Sequence, residues 1–143
     1  MQSSIENMIR GFDFQRKSGS ILFWKNTSPG NSWSLKLTGQ LSRSNKDHEG
    51  LKNYRNACHR YGQVGPGTWA QLNCFAGQAA QTMVPQQRTK HDHDQLLGQL
   101  VVPVFSHGML VGVIELVTLV PKEDYGPDLI QINRLLRAEN LHT

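Results

Sequence analysis

The sequence predicts an α+β fold, an antiparallel sheet with helices packed on one face, with residues 1–143 forming a single domain. Three observations lead there. Residues 100–105 (Leu-Val-Val-Pro-Val-Phe) and 110–118 (Leu-Val-Gly-Val-Ile-Glu-Leu-Val-Thr) are apolar, β-branched runs flanking Ser-His-Gly-Met, the pattern of a buried β-hairpin. Beyond them Gly126-Pro127-Asp128 opens a segment in which Leu129, Ile132, Leu135 and Leu136 recur at helical spacing. At the other end Ile5, Met8, Ile9 and Phe12 fall at i, i+3, i+4 and i+7 behind a Ser3/Glu6 pair in capping-box spacing.

The elements follow in order. The first helix is expected to end near Phe14, before Gln-Arg-Lys-Ser-Gly-Ser. Residues 21–24 make a short apolar strand, residues 26–31 carry Ser-Pro-Gly-Asn turn chemistry, and residues 32–37 alternate Trp33, Leu35 and Leu37 on one face, giving a further hairpin. Residues 38–50 are polar. Residues 49–60 read as a modest helix with Leu51, Tyr54 and Cys58 on one face, ended by the glycines between 62 and 67. Trp69, Leu72 and Phe75 fit a short strand or turn, residues 77–83 a brief alanine-rich helix, and residues 85–94, almost without apolar side chains, an exposed loop.

Composition narrows the function classes. Hydrophobic residues are 38% and charged residues 18% of the chain, which argues against both a membrane-spanning and an extensively disordered protein. The net charge of +4 is uneven: residues 1–71 hold ten Lys or Arg against four Asp or Glu, residues 72–143 five against seven. The basic half suits an acidic partner or a small anion, yet its cations are scattered, with no run dense enough for a nucleic-acid patch, so a solvated face is the simpler reading. No apolar segment approaches the roughly 20 residues that cross a bilayer, so no membrane role is expected. The N-terminus builds no signal-peptide core, and with only Cys58 and Cys74 present a reducing compartment is expected.

No constellation carries a catalytic signature. His91-Asp92-His93-Asp94 offers metal-ligand types, but consecutive residues converge poorly; a polar loop without metal is expected. Cys58-His59 raises a thiolate reading, but neighbours on a helix point about 100° apart, so Cys58 reads as a small core residue. The glycines at 65, 67 and 77 lack the strand–glycine–helix context of a phosphate loop. Glu115, between Ile114 and Leu116, is expected to face outward by strand alternation. Tyr54-Arg55 pairs an aromatic hydroxyl with a planar cation, a combination suited to an anion or a partner carboxylate.

An ordered set of segments resembles one family: Phe23-Trp24; residues 34–40 ending Leu-Thr-Gly-Gln; Gly50-Leu51-Lys52-Asn53-Tyr54-Arg55 with Tyr61 beyond; Phe75-Ala76-Gly77-Gln78; residues 100–105; Gly112-Val113-Ile114-Glu115-Leu116; and residues 135–141. From about Ile5 to Leu141 this order resembles the N-terminal GAF-like region of plant NIN-like proteins, the RWP-RK transcription regulators of nitrate responses. The resemblance implies a GAF-like sheet and a non-catalytic regulatory or sensor role in nitrate-responsive gene control. It implies a nuclear location, with cytoplasm–nucleus shuttling left open. It also implies a small anion such as nitrate, and other domains of the same regulator or further proteins as partners; no cofactor is expected. Tyr54, Arg55, Tyr61 and Gln78 are the ligand-binding candidates on this reading. No counterpart of the RWP-RK segment is present, so no direct DNA contact is expected from this chain. The family's nitrate contacts belong to the region that follows and are not transferable.

The chain departs from the family pattern where Phe75-Ala76-Gly77-Gln78 replaces Leu-Pro-Gly-Arg, losing an arginine, and where the connection 83–97 is shortened. The alternatives are a protein-interaction module without ligand and, more remotely, a GAF-like reductase dependent on Cys58 and Cys74.

Overall fold

The structure, a computed structural model, describes residues 2–30, 32–68, 73–92 and 95–143, with Asp92 described by its backbone alone. Helices α1 (Gln2–Gly11), α2 (Glu49–His59), α3 (Phe75–Thr82) and α4 (Gly126–Ala138) accompany strands β1 (Gly19–Asn26), β2 (Leu35–Ser44), β3 (Gln63–Val64), β4 (Gln86–Asp92), β5 (Gln95–Ser106) and β6 (Met109–Thr118). The strands form one six-stranded sheet in the order β3-β2-β1-β6-β5-β4, with every neighbouring pair antiparallel.

The hairpin read from the sequence is the β5–β6 pair, in which Leu100 lies opposite Leu116 and Val102 opposite Ile114. Its tip pairs Ser106 with Met109, leaving a two-residue loop. His107 and Gly108 take φ values of 51° and 77°, the positive values that a type I′ turn requires and that glycine adopts without strain.

The α+β class and the antiparallel sheet with packed helices are as read from the sequence. The terminal pair, α1 and α4, packs on one face against Ile21, Phe23, Leu100, Val102, Val104, Ile114 and Leu116. On the opposite face Leu22, Trp24, Leu97, Val101, Val113 and Val117 meet Leu51, Tyr54 and Cys58 of α2 and Phe75, Ala76, Ala79 and Ala80 of α3. Strict alternation along β1 and β6 sorts the side chains between these two layers. A central strand covered on both sides has no solvent face, which is why β5 and β6 are apolar at nearly every position.

Three expected boundaries moved. α1 ends at Gly11 rather than near Phe14, β2 continues through the polar segment to Ser44, and residues 86–92, expected as part of an exposed loop, form the edge strand β4. An edge strand needs one ladder only, and β4 pairs with β5 from Gln86↔Val101 to Asp92↔Gln95. Trp69 and Leu72 lie outside the described residues.

Candidate functional site

Helix α2 presents two faces. Leu51, Tyr54 and Cys58, at i, i+3 and i+7, are buried against the sheet, while His48, Lys52 and Arg55, at i, i+4 and i+7, border a surface hollow. Tyr54 and Arg55, adjacent in sequence, therefore enter different environments about 100° apart.

Beneath α2 lies a closed polar cluster centred on Glu115, which is 0% exposed. Trp24 Nε1 donates to Glu115 Oε1 at 2.9 Å, Gln99 Nε2 donates to Glu115 Oε2 at 2.8 Å, and the Tyr54 hydroxyl donates to the same oxygen. Gln99 Nε2 also reaches the Tyr54 hydroxyl oxygen at 2.5 Å, and Arg88 Nε donates to Gln99 Oε1 at 2.7 Å. Glu115 is thus the acceptor for three donors, the arrangement a buried carboxylate needs. Its expected outward orientation is overturned, because α2 and α3 cover the face that simple alternation would leave to solvent. Nothing in the flanking residues signals this; the apolar runs on both sides of the hairpin are the clue that both faces are covered.

The inward side of β4 continues the cluster with cations lying over rings. Arg88 Cζ is 4.2 Å from the Phe75 ring centroid, and Lys90 Nζ is 5.6 Å from that of Tyr54. Both thiols are free and buried. Burial, reinforced by the Glu115 charge, pushes the Cys58 thiol well up and the Cys74 thiol up to about 12, and burial likewise holds Tyr54 well above the ordinary phenol range. The remaining sequence candidates lie apart from the cluster's centre. Tyr61 is partly buried at the margin of this layer, its hydroxyl donating to the Asn73 carbonyl at 3.3 Å. Gln78 is half-buried on α3, where its backbone carbonyl accepts from Thr82 Oγ1 at 2.9 Å.

The surface hollow has a volume of about 450 Å³ and is lined by Ser42, Arg43, Ser44, Lys46, Asp47, His48, Lys52 and Arg55. Its floor is fixed by Arg43, whose guanidinium donates through Nε to the Ile9 carbonyl at 3.1 Å and through Nη2 to that of Phe12, and lies 4.9 Å over the Phe14 ring. Those carbonyls belong to the end of α1 and the turn beyond it, so Arg43 supplies donors that the helix cannot. His48 caps α2, its Nδ1 accepting from Gly50 N at 3.0 Å. Sequence reasoning singled out Arg55 but dismissed its companions as scattered; the turn between β2 and α2 is what gathers them.

A second cleft, of about 360 Å³, lies where α1 meets the tip of the β5–β6 hairpin, lined chiefly by Ile5, Phe23, Pro29, Met109, Leu110 and Val111 with Lys25 among them. His91 is exposed on β4, and His93 and Asp94 lie outside the described residues. Among the described residues no three His, Cys, Asp or Glu side chains converge on a metal position, and no helix is long and apolar enough to cross a membrane.

No family model, curated protein or solved structure matches the chain. The functional reading therefore rests on these side chains and on the resemblance stated above.

Proposed function

We propose that this chain is a non-catalytic regulatory domain, a GAF-like sensor of the NIN-like class acting in nitrate-responsive gene control in the nucleus. One observation carries the reading: α2 holds Tyr54 in the interior polar cluster and Arg55 in the basic hollow on successive residues. A helix seated by directional hydrogen bonds has a defined position. An anion drawn to Arg55 and Lys52 would favour one seating of α2 over another and pass that preference to β5 and β6 through Gln99 and Glu115. The thiols support a non-catalytic role, since a group held protonated at neutral pH is a poor nucleophile.

The test is nitrate titration followed by hydrogen exchange of the α2 amides. The reading expects saturable protection of residues 49–59, lost in Arg55→Ala. Exchange that ignores nitrate at millimolar concentration would reject it. The second reading, a protein-interaction module, draws on the apolar cleft beside Met109, which is 47% exposed. It expects anion-independent exchange together with partner binding that is weakened by Met109→Glu.

A further inference from the structure

The hollow between β2 and α2 has a charge excess larger than a nitrate ion would answer. Arg43, Lys46, Lys52 and Arg55 stand against one lining carboxylate, Asp47, a balance of +3 with His48 neutral. Glu49 is adjacent in the first turn of α2 but is not among the lining residues. The one ion pair among the described residues is Lys122–Asp128, at the start of α4, so neither Asp47 nor Glu49 neutralises these cations by direct pairing. Like charges gathered in one concavity repel one another and raise the local potential for an incoming anion.

Size points the same way. The hollow, of about 450 Å³, is an open concavity that extends from β2 across the turn to α2. A four-atom planar monoanion would occupy a small part of it and meet only a fraction of the available charge. A phosphate monoester carries up to two charges on tetrahedrally arranged oxygens, which suits lysine point charges and a guanidinium fork approaching from different directions, and its organic part would take up the remaining space. The wall is fixed in advance, since Arg43 is tied to the end of α1 and Lys52 and Arg55 project from consecutive turns of one helix.

We infer that this hollow binds the phosphate group of a small phosphorylated molecule, held by Lys46, Lys52 and Arg55 against the Arg43 wall. The inference rests on the sensor reading above for its regulatory meaning and refines the anion that the domain would sense.

The probes are sodium nitrate, inorganic phosphate, glucose 6-phosphate and a short phosphoserine peptide, titrated at constant ionic strength against the whole chain and followed by amide NMR shifts and by hydrogen exchange. Saturable shifts confined to residues 42–55 are expected, with glucose 6-phosphate binding at least about tenfold more tightly than nitrate. Charge-assisted contacts of ordinary strength imply a further loss of about tenfold or more in Lys52→Gln and in Arg55→Gln. Lys17→Gln, outside the hollow, is the control and should leave binding unchanged. Equal affinity for nitrate and the phosphates, a response that Lys52→Gln and Arg55→Gln leave intact, or tighter binding of a phosphoserine peptide than of the sugar phosphate would overturn the inference. The two readings fail separately: phosphate binding in the hollow without any change in α2 exchange keeps the site and removes the sensor, whereas nitrate-dependent protection of α2 with no phosphate preference keeps the sensor and removes this ligand.

Discussion

The two faces of the sheet are built from the same strands and both bury hydrocarbon, but only one adds a hydrogen-bonded cluster to it. Toward α1 and α4, β1, β5 and β6 present hydrocarbon, met by Ile5, Met8, Ile9, Phe12, Ile132 and Leu136. Toward α2 and α3 they bury hydrocarbon as well, Leu22, Leu97, Val101, Val113 and Val117 against Leu51 and Phe75, but add a polar cluster in which Trp24, Gln99 and Glu115 are met by Tyr54. Hydrocarbon packing is non-directional and tolerates small shifts, whereas a carboxylate shared by three donors fixes orientation and is costly to leave half satisfied. Both helix pairs therefore gain from apolar packing, and the internal helices occupy a layer whose arrangement depends in addition on a few named hydrogen bonds.

The largest effect should come from the hydrocarbon face. Ile132 is fully buried in α4, so Ile132→Ala removes transfer energy and leaves a cavity, costing about 2–5 kcal/mol. Urea denaturation measures it directly. The hydrogen-bonded cluster should survive in the folded variant, so the NMR shift of the Trp24 indole N–H, which donates to Glu115, should match the parent; a displaced resonance would mean that the two layers are not independent.

The opposite face should govern the response to alkali. Tyr54, Cys58 and Cys74 all belong to it, and in each case desolvation raises the folded-state value. The folded chain thus keeps protons that the unfolded chain releases from about the ordinary thiol value of 9 upward. Stability is complete below that pH and falls as pH rises toward about 12, by up to about 1.4 kcal/mol per pH unit for each such group. Denaturation midpoints between pH 8 and 11 check the sign, and Cys74→Ala should flatten the slope. A stability that rises with pH in this window would show that the thiols are not desolvated.

Much of this architecture is legible in the sequence and some of it is not, for physical reasons. The β5–β6 hairpin announces itself because strands covered on two sides must be apolar throughout, and α1, α2 and α4 do so through their helical spacing. β4 escaped because its buried side is made by Gln86, Arg88 and Lys90, whose aliphatic stems and ring contacts replace hydrophobic residues while leaving a uniformly polar string. Glu115 escaped because its three donors come from β1, α2 and β5, separated by 91, 61 and 16 positions, a convergence that only tertiary structure creates. The hollow is only partly legible for the same reason: Arg55 is a candidate from its sequence alone, but Arg43 and Lys46 join it only through the turn between β2 and α2.

A moderate effect is expected at Tyr54. Tyr54→Phe preserves the ring and removes only the hydroxyl that links Glu115 and Gln99, so the loss should lie near that of a hydrogen bond to a charged group, roughly 1.5–3 kcal/mol. Native-state hydrogen exchange sharpens the contrast between faces: amides in α2 should open more readily than those in α1 and α4 beyond the global change. Uniform acceleration across α1, α2, α3 and α4 would indicate that the cluster supports the whole fold and not one layer.

The smallest effect, and the sharpest test of the contrast, concerns the very next residue. Arg55 is partly exposed, has no ion-pair partner among the described residues and lines the hollow rather than the core. Arg55→Ala should therefore shift the urea-derived stability by no more than about 0.5 kcal/mol, the ordinary range for a surface substitution. Relief of repulsion from Lys52 and Arg43 could even make the change slightly favourable at low ionic strength, and that gain should vanish as salt screens the charges. A loss as large as that of Tyr54→Phe would place Arg55 in the structural framework of α2 and remove it as the free cation on which both the sensor reading and the phosphate site depend. A neutral result leaves one helix with a structural tyrosine and, on the next residue, an arginine that lines the hollow without supporting the fold, the arrangement through which occupancy of the hollow would reach the sheet.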